Sequence, residues 1–241
     1  MSRTLRVLDL GRRPYAEVLE LQRELCRRRV ARETTEDLLL LVEHEPVVTL
    51  GRGTRPASLP IPPAELERRG VRVVEVERGG DVTYHGPGQL VGYPILDLTD
   101  HRPDLHWYLR TLEDALVLGL GRLGVEAERR PGLTGVWTAR RKIASIGIHV
   151  KQWVTFHGFA LNVATDLAAF DLIVPCGIED VVMTSVAEEL ARPGSPALWA
   201  ETSEAITAAF ADAFGYAGVE RGGAALPQPA FSGKAHAERD R

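Results

Sequence analysis

Apolar residues recur along this chain in two rhythms, one near every second residue and one near every third or fourth, and the alternation between them sketches the fold. Leu5 to Leu10 predicts a short strand, and Pro14 opens a helix on which Tyr15, Leu19, Cys26 and Val30 share one side, which places Cys26 in a core. The unbroken run "LLLLV" at 38 to 42 predicts a buried strand. "PPAELERRG" predicts a short helix stopped by Gly70, and "VRVVEV" the next strand. The stretch "RGGDVTYHGPGQLVGYPILDL" (78 to 98) predicts a hairpin, two extended pieces around a Gly-Pro-Gly turn. Leu105, Leu109, Leu112, Leu116, Leu120 and Leu123 mark the clearest helix, ending at Gly124. Extended stretches follow near 125 to 129, 142 to 150 and 153 to 163, and then an irregular segment carrying "IVPCGIED". Ser185 with Glu188 fits a capping box for the next helix, and a last helix spans roughly Ala197 to Phe214. From Ala217 on, Gly, Pro, Ala and charge dominate, so the expectation is one domain over 1–216 and a disordered tail over 217–241. Helices interspersed with strands that often follow each other directly predict an α/β (α+β) chain, a mixed sheet flanked by helices.

Composition narrows the function classes. With 241 residues and 44% apolar content the chain can bury a full core. A net charge of -4 argues against a dedicated nucleic-acid binder, and the triplet Arg27 to Arg29 reads as a solvated helix face. Two cysteines, Cys26 and Cys176, make no disulfide framework, which points to a reducing compartment. "MSRTLRVLDL" lacks an apolar signal core, and residues 38 to 42 are too few to span a bilayer, so a cytoplasmic protein without a membrane partner is expected.

Several motifs are set aside. "GLGRLG" (119 to 124) formally matches the dinucleotide fingerprint, but its glycines end a leucine-striped helix instead of joining a strand to a helix N-terminus. No phosphate loop and no Gly-x-Ser-x-Gly elbow is present, and the seven His and two Cys show no zinc-ligand spacing, so neither a metal nor a cofactor is called. His101, His106 and His236 are read as surface residues. "HGPGQ" is explained as a tight turn only for Gly86 to Gly88; Thr83, His85 and Gln89 stay unexplained.

Two residues carry chemistry. Basic positions are written almost throughout as arginine, 26 of them against only Lys142, Lys151 and Lys234, yet "KIASIG" opens on lysine. A guanidinium keeps its proton at any working pH, whereas an ammonium can be tuned and can release one. In "PCG", Pro175 fixes the chain on one side of Cys176 and Gly177 removes the side chain on the other, so a ligand can approach the sulfur. A nearby ammonium favours thiolate: a fall in pKa from about 8.5 to roughly 6.5 raises the thiolate fraction about 25-fold at neutral pH. Nucleophilicity drops roughly tenfold over the same shift, so the larger benefit is to the sulfur as a leaving group. A Cys and Lys pair therefore suits transfer of an acyl group from a thioester to an amine.

The blocks "EHEPVVTLGR" (43 to 52), "RGGDVTYHGPGQLVGYPILDL", "RKIASIGI" (141 to 148), "HGFALNV" (157 to 163) and "IVPCGI" (173 to 178), in this order, resemble the octanoyl-acyl carrier protein:protein N-octanoyltransferase family. The resemblance implies a fold similar to the biotin and lipoate protein ligase catalytic domain over 1–216. It implies Cys176 as nucleophile, taking an octanoyl group as a thioester, and Lys142 as the partner that lowers the thiol pKa and exchanges protons with the incoming amine. It implies substrate contacts at Arg78, Gly79, Gly80, Asp81, Val82, Thr83, Tyr84 and His85, at Ser145, Ile146 and Gly147, and at Gly158, Phe159 and Ala160. His85 and His157 are candidates for orienting groups. Octanoyl-acyl carrier protein is the implied donor; the implied acceptors are lipoyl domains of 2-oxoacid dehydrogenase E2 subunits and the glycine cleavage H protein. Both kinds of partner are acidic, and Arg140, Arg141 and Arg27 to Arg29 are candidates for docking them. No ATP is implied, because a thioester donor is already activated. Two other readings are kept: an ATP-dependent lipoate or biotin ligase on the same fold, which needs no catalytic cysteine, and a non-catalytic carrier-binding protein, which acquires no acyl adduct.

Overall fold

The run at 38 to 42 has no polar face because the strand it forms, β2 (Asp37–His44), lies inside a sheet covered on both sides. Leu39 and Leu41 enter one core while Leu38, Leu40 and Val42 enter another, as the two-residue period of a strand requires. In the computed structural model, which describes residues 3–174 and 181–222, β2 is third in an eight-stranded mixed sheet. The order is β11 (Gly218–Gly222), β1 (Thr4–Arg13), β2, β6 (Gln89–Ile95), β10 (Val154–Asn162), β9 (Arg141–Lys151), β8 (Leu133–Thr138) and β7 (Glu128–Arg130). The β11, β1 and β2 strands run parallel; the remaining neighbours are antiparallel.

Helix α1 (Tyr15–Val30) closes one face with Tyr15, Val18, Leu19, Leu25 and Cys26, so Cys26 is in the core as its spacing predicts. Burial pushes its thiol up to about 11, the state of an inert sulfur. Helices α3 (Leu105–Arg122) and α5 (Pro196–Phe214) pack together over the other face, and "GLGRLG" begins inside α3, away from any strand-to-helix turn. A second sheet, β4 (Arg72–Glu75), β3 (Val47–Leu50) and β5 (Val82–His85), forms its own core with Leu66 of α2 (Pro63–Arg68), Phe170 and Met183. Ser185 caps α4 (Val186–Glu189) by accepting from the Glu188 N–H.

Four expectations are corrected. Residues 82 to 95 are not a hairpin: β5 pairs with β3 in the small sheet, β6 pairs with β2 and β10 in the large one, and the Gly-Pro-Gly turn hands the chain between them. Strand β8 falls in a stretch with no predicted element. Residues 218–222 pair with β1, beyond the boundary expected at 216; residues 223–241 lie outside the described residues. His101 is not on the surface: its side chain is 1% exposed and bonded to Asp37, whereas His106 is exposed and His236 lies outside the described residues.

Candidate active site

Where the small sheet meets the middle of the large one, a cavity of about 310 Å³ opens between β5, β6, β9, β10, the loop at 78–81 and the turn joining β7 to β8. That volume is at the lower end of small-molecule sites. All of the predicted substrate-contacting residues line it except Gly79 and Tyr84. Gly79 instead ties its loop to β9 through an N–H donated to the Ile148 carbonyl (2.9 Å), and Tyr84 packs edge-on against Phe170 in the small-sheet core. His157 also lines the cavity, with Tyr15, Val91, Tyr93 and residues 132–134, none of which the sequence singled out for this place.

Arg78 holds the loop. It is buried and donates to the carbonyls of Asp81 (2.7 Å) and Thr49 (2.7 Å) and to Thr49 Oγ1 (2.8 Å), which fastens the 78–81 backbone to β3. Asp81 accepts from Ser58 Oγ (2.6 Å) and from the Val82 N–H (2.7 Å). The loop closes tightly on β9 because Gly147 has no side chain: a Cβ there would sit 2.8 Å from Arg78 Cδ.

Neutral groups dominate the lining. Burial drives the imidazoles of His85 and His157 down to about 3 and that of the neighbouring His44 to about 4, and it raises the Tyr15 phenol to about 12. His44 Nδ1 lies 3.0 Å from the Arg13 carbonyl, which can only accept, so Nδ1 carries the proton and Nε2 accepts from Tyr93 Oη (2.8 Å). His157 sits in mid-strand at φ +56°, a conformation uncommon for a residue with a Cβ, and its N–H donates to Gln22 Oε1 of α1 (2.8 Å). Strain of this kind is stored where surrounding structure fixes a residue in place.

Lys142, 1% exposed, is clamped along its backbone: its N–H donates to the Val182 carbonyl (2.8 Å) and its carbonyl accepts from Thr184 N–H (3.0 Å). Its ammonium lies 5.4 Å from the Trp137 ring centroid, a cation–π distance. The side chain runs behind Gly135, where an added Cβ would approach Lys142 Cε to 2.8 Å, while the preceding Leu133 and Thr134 face the cavity. The clamp residues Val182 to Thr184 follow closely after the segment that carries Cys176, and Cys176 itself lies outside the described residues.

One candidate docking arginine, Arg29, is corrected because it is buried; Arg27, Arg28, Arg140 and Arg141 keep exposed or part-exposed side chains. Arg29 is 5% exposed and paired with Asp37 (3.2 Å) and Asp100 (2.7 Å); Arg27 is paired with Glu24 and Glu33, and Arg141 with Glu189 (2.9 Å). Arg140 is exposed. Among the described residues no cluster of three or more His, Cys, Asp or Glu is arranged to hold a metal ion, and no helix is long and apolar enough to cross a membrane.

Known proteins share both sequence and fold with this chain. The family model described as "Lipoyl protein ligase A/B catalytic domain" matches residues 14–211. The octanoyltransferase of Gloeobacter violaceus is 54% identical over 178 residues, 74% of this chain and 78% of that protein. The octanoyltransferase of Solibacter usitatus is 50% identical over 208 residues, 86% of this chain and 92% of its own. Among solved structures, lipoate-protein ligase A bound with ATP superposes with a TM-score of 0.70 at 18% identity, covering 92% of this chain and 89% of that one. A bipartite lipoate protein ligase from Thermoplasma acidophilum gives 0.70 at 18% identity, covering 92% and 87%. At such identities these structures share the fold.

Proposed function

The chain belongs to the lipoyl protein ligase A/B catalytic-domain family, and from that premise we propose that it moves an octanoyl group from acyl carrier protein to a lysine of lipoyl domains through a thioester on Cys176. Its relatives make it an acyltransferase of octanoyl transfer in lipoate biosynthesis. The finer steps are our reading. The Cys176 thiolate attacks the donor's thioester carbon, and the carrier's phosphopantetheine sulfur leaves as a thiol with the proton of the Lys142 ammonium, which becomes a neutral amine able to take one up. The acceptor lysine then attacks the new thioester, the Cys176 sulfur departs, and the amine's surplus proton passes to Lys142. Donor and acceptor bonds balance without ATP or a metal. Acceptors in this reading are lipoyl domains of 2-oxoacid dehydrogenase E2 subunits and the glycine cleavage H protein, met in the cytoplasm.

The observation that carries the proposal is the cavity, whose lining comes from the same three sequence blocks that match the family's substrate-contacting stretches. Its apolar part, Val91, Ile146, Phe159 and Ala160, suits a fatty chain. Burying the chain contributes on the order of 5 kcal/mol at about 0.8 kcal/mol per methylene. Neutral imidazoles and phenols place no net charge against the acyl carbonyl, and Lys142 supplies a proton carrier that arginine would not.

The test is intact-mass analysis of the full chain mixed with octanoyl-acyl carrier protein. An octanoyl increment should form, vanish on adding a lipoyl domain, and be missing in Cys176→Ala. Lys142→Arg should slow turnover by about 10² to 10⁴, the usual range for a lost acid–base group. Full activity in Cys176→Ser would contradict the thioester route and favour an ATP-dependent ligase.

A further inference from the structure

Beneath the cavity a chain of hydrogen bonds runs from a backbone carbonyl to an imidazole, and its direction is forced. Asn162 is buried and its side-chain nitrogen lies 3.0 Å from the Thr184 carbonyl, which can only accept. Asn162 Oδ1 therefore points the other way, where it accepts from Gln89 Nε2 at 2.9 Å. The same Gln89 nitrogen lies 3.3 Å from the Tyr84 carbonyl, a second acceptor-only group that fixes the amide in the same orientation. Gln89 Oε1 is thus left facing His85 Nδ1 at 2.8 Å, and Nδ1 must carry the proton.

The consequence is an unprotonated His85 Nε2, with no hydrogen-bond partner among the described residues, on a side chain that lines the cavity. Tyr15 stacks on the imidazole at 5.8 Å and 12° and holds its plane. We propose that Gln89 and Asn162 are positioning residues that lock His85 as a hydrogen-bond acceptor for the incoming lysine amine, so that it orients the second half-reaction and not the first. The proposal rests on the acyl-transfer reading above. The donor's thioester and fatty chain have no N–H or O–H to offer at the reacting end, whereas the amine does. Burial keeps His85 too weakly basic to remove the amine's proton, so orientation and proton transfer are divided between His85 and Lys142. One segment serves both: Thr184 donates its N–H to Lys142 and lends its carbonyl to the relay.

Two readouts test this, the first independent of activity. Long-range nitrogen–proton correlation spectra of histidine-labelled protein, with His85 assigned through His85→Gln, should show an Nδ1–H tautomer at neutral pH. In Gln89→Met the lock is removed and the Nε2–H form should gain; Asn162→Leu removes one of the two ties on the Gln89 amide and should give a smaller gain. Acylation of Cys176 by octanoyl-acyl carrier protein, followed by intact mass, should stay within about twofold of the parent, while discharge to a lipoyl domain slows at least tenfold. An Nε2–H tautomer in the parent protein overturns the relay. A tautomer change that leaves both half-reactions intact, or slows them equally, overturns the assigned role. A parent protein that never acylates Cys176 sinks the transfer reading itself, while the tautomer spectrum still decides the relay.

Discussion

Two buried polar networks sit at different places in this molecule, and they are built on opposite plans. Beside β2 and the segment after α5, Arg29, Asp37, Asp100, His101 and Tyr216 form a charged knot. Asp37 takes bonds from His101 (2.8 Å), Tyr216 Oη (2.9 Å) and Arg29 (3.2 Å), and Arg29 also reaches Asp100. Burial pushes the Asp37 carboxyl up, yet the His101 and Tyr216 bonds and the Arg29 charge outweigh it and the net shift is downward. At the cavity the corresponding imidazoles are neutral, and the relay ends on His85, a residue that lines the cavity. A network whose ions are paired within it holds elements together; one that ends on a neutral acceptor is arranged to meet something else.

Acid should separate the two. His85 and His157 are held near 3 and His44 near 4 in the folded protein, against about 6.5 unfolded. Below pH 6.5 the unfolded chain therefore takes up protons that the native one does not, so stability falls as pH falls toward 4. At pH 5 the loss is up to about 2 kcal/mol per imidazole. Asp37 has its folded value lowered, so its contribution is present above the unfolded carboxylate range and is lost only at lower pH still. Urea titrations at pH 7, 6 and 5 should show this decline, and replacing His85 with Gln should flatten it; a pH-independent midpoint would equate the two networks.

Breaking the charged knot comes next in size. Asp37→Asn leaves the Arg29 guanidinium under-compensated in a buried site and should cost about 3–5 kcal/mol in denaturant unfolding, with specific activity of the folded fraction unchanged. Gly135→Ala acts at the cavity instead. It strains a φ of +123° and presses on Lys142, so it should cost about 1–3 kcal/mol and slow turnover at least tenfold. The mildest test is Tyr216→Phe, which removes one bond to Asp37 and should cost about 1–2 kcal/mol without altering turnover.

Much of the fold was legible because burial and periodicity agree: the run at 38 to 42 is apolar on both faces of β2, and Leu112, Leu116 and Leu120 of the leucine stripe lie on the buried face of α3, although Leu105 at its start is exposed. What escaped was decided by distant partners. Nothing local tells β5 from β6 as members of different sheets, since the same Gly-Pro-Gly turn serves a hairpin or a crossing. Strand β8 is interrupted by Gly135, which reads as a breaker until Lys142 is seen to need the space. His101 looked like a loop histidine because its partners, Asp37 and Tyr216, lie far along the chain. At the site, residue types and block order pointed to the cavity lining, and the RGG glycines with Arg78 proved to be a loop and its fastening. The roles of Gln89 and Asn162 depend on bond direction, which no spacing encodes.

The account rests on the cavity between β5, β9 and β10 being the place where the acyl chain is held during transfer. A crystal structure of the chain after loading with octanoyl-acyl carrier protein measures this directly. The account predicts continuous density from Cys176 into the space bordered by Ser145, Phe159 and His85, with the thioester end beside Lys142. An octanoyl group attached elsewhere, or lying outside an empty cavity, would contradict it.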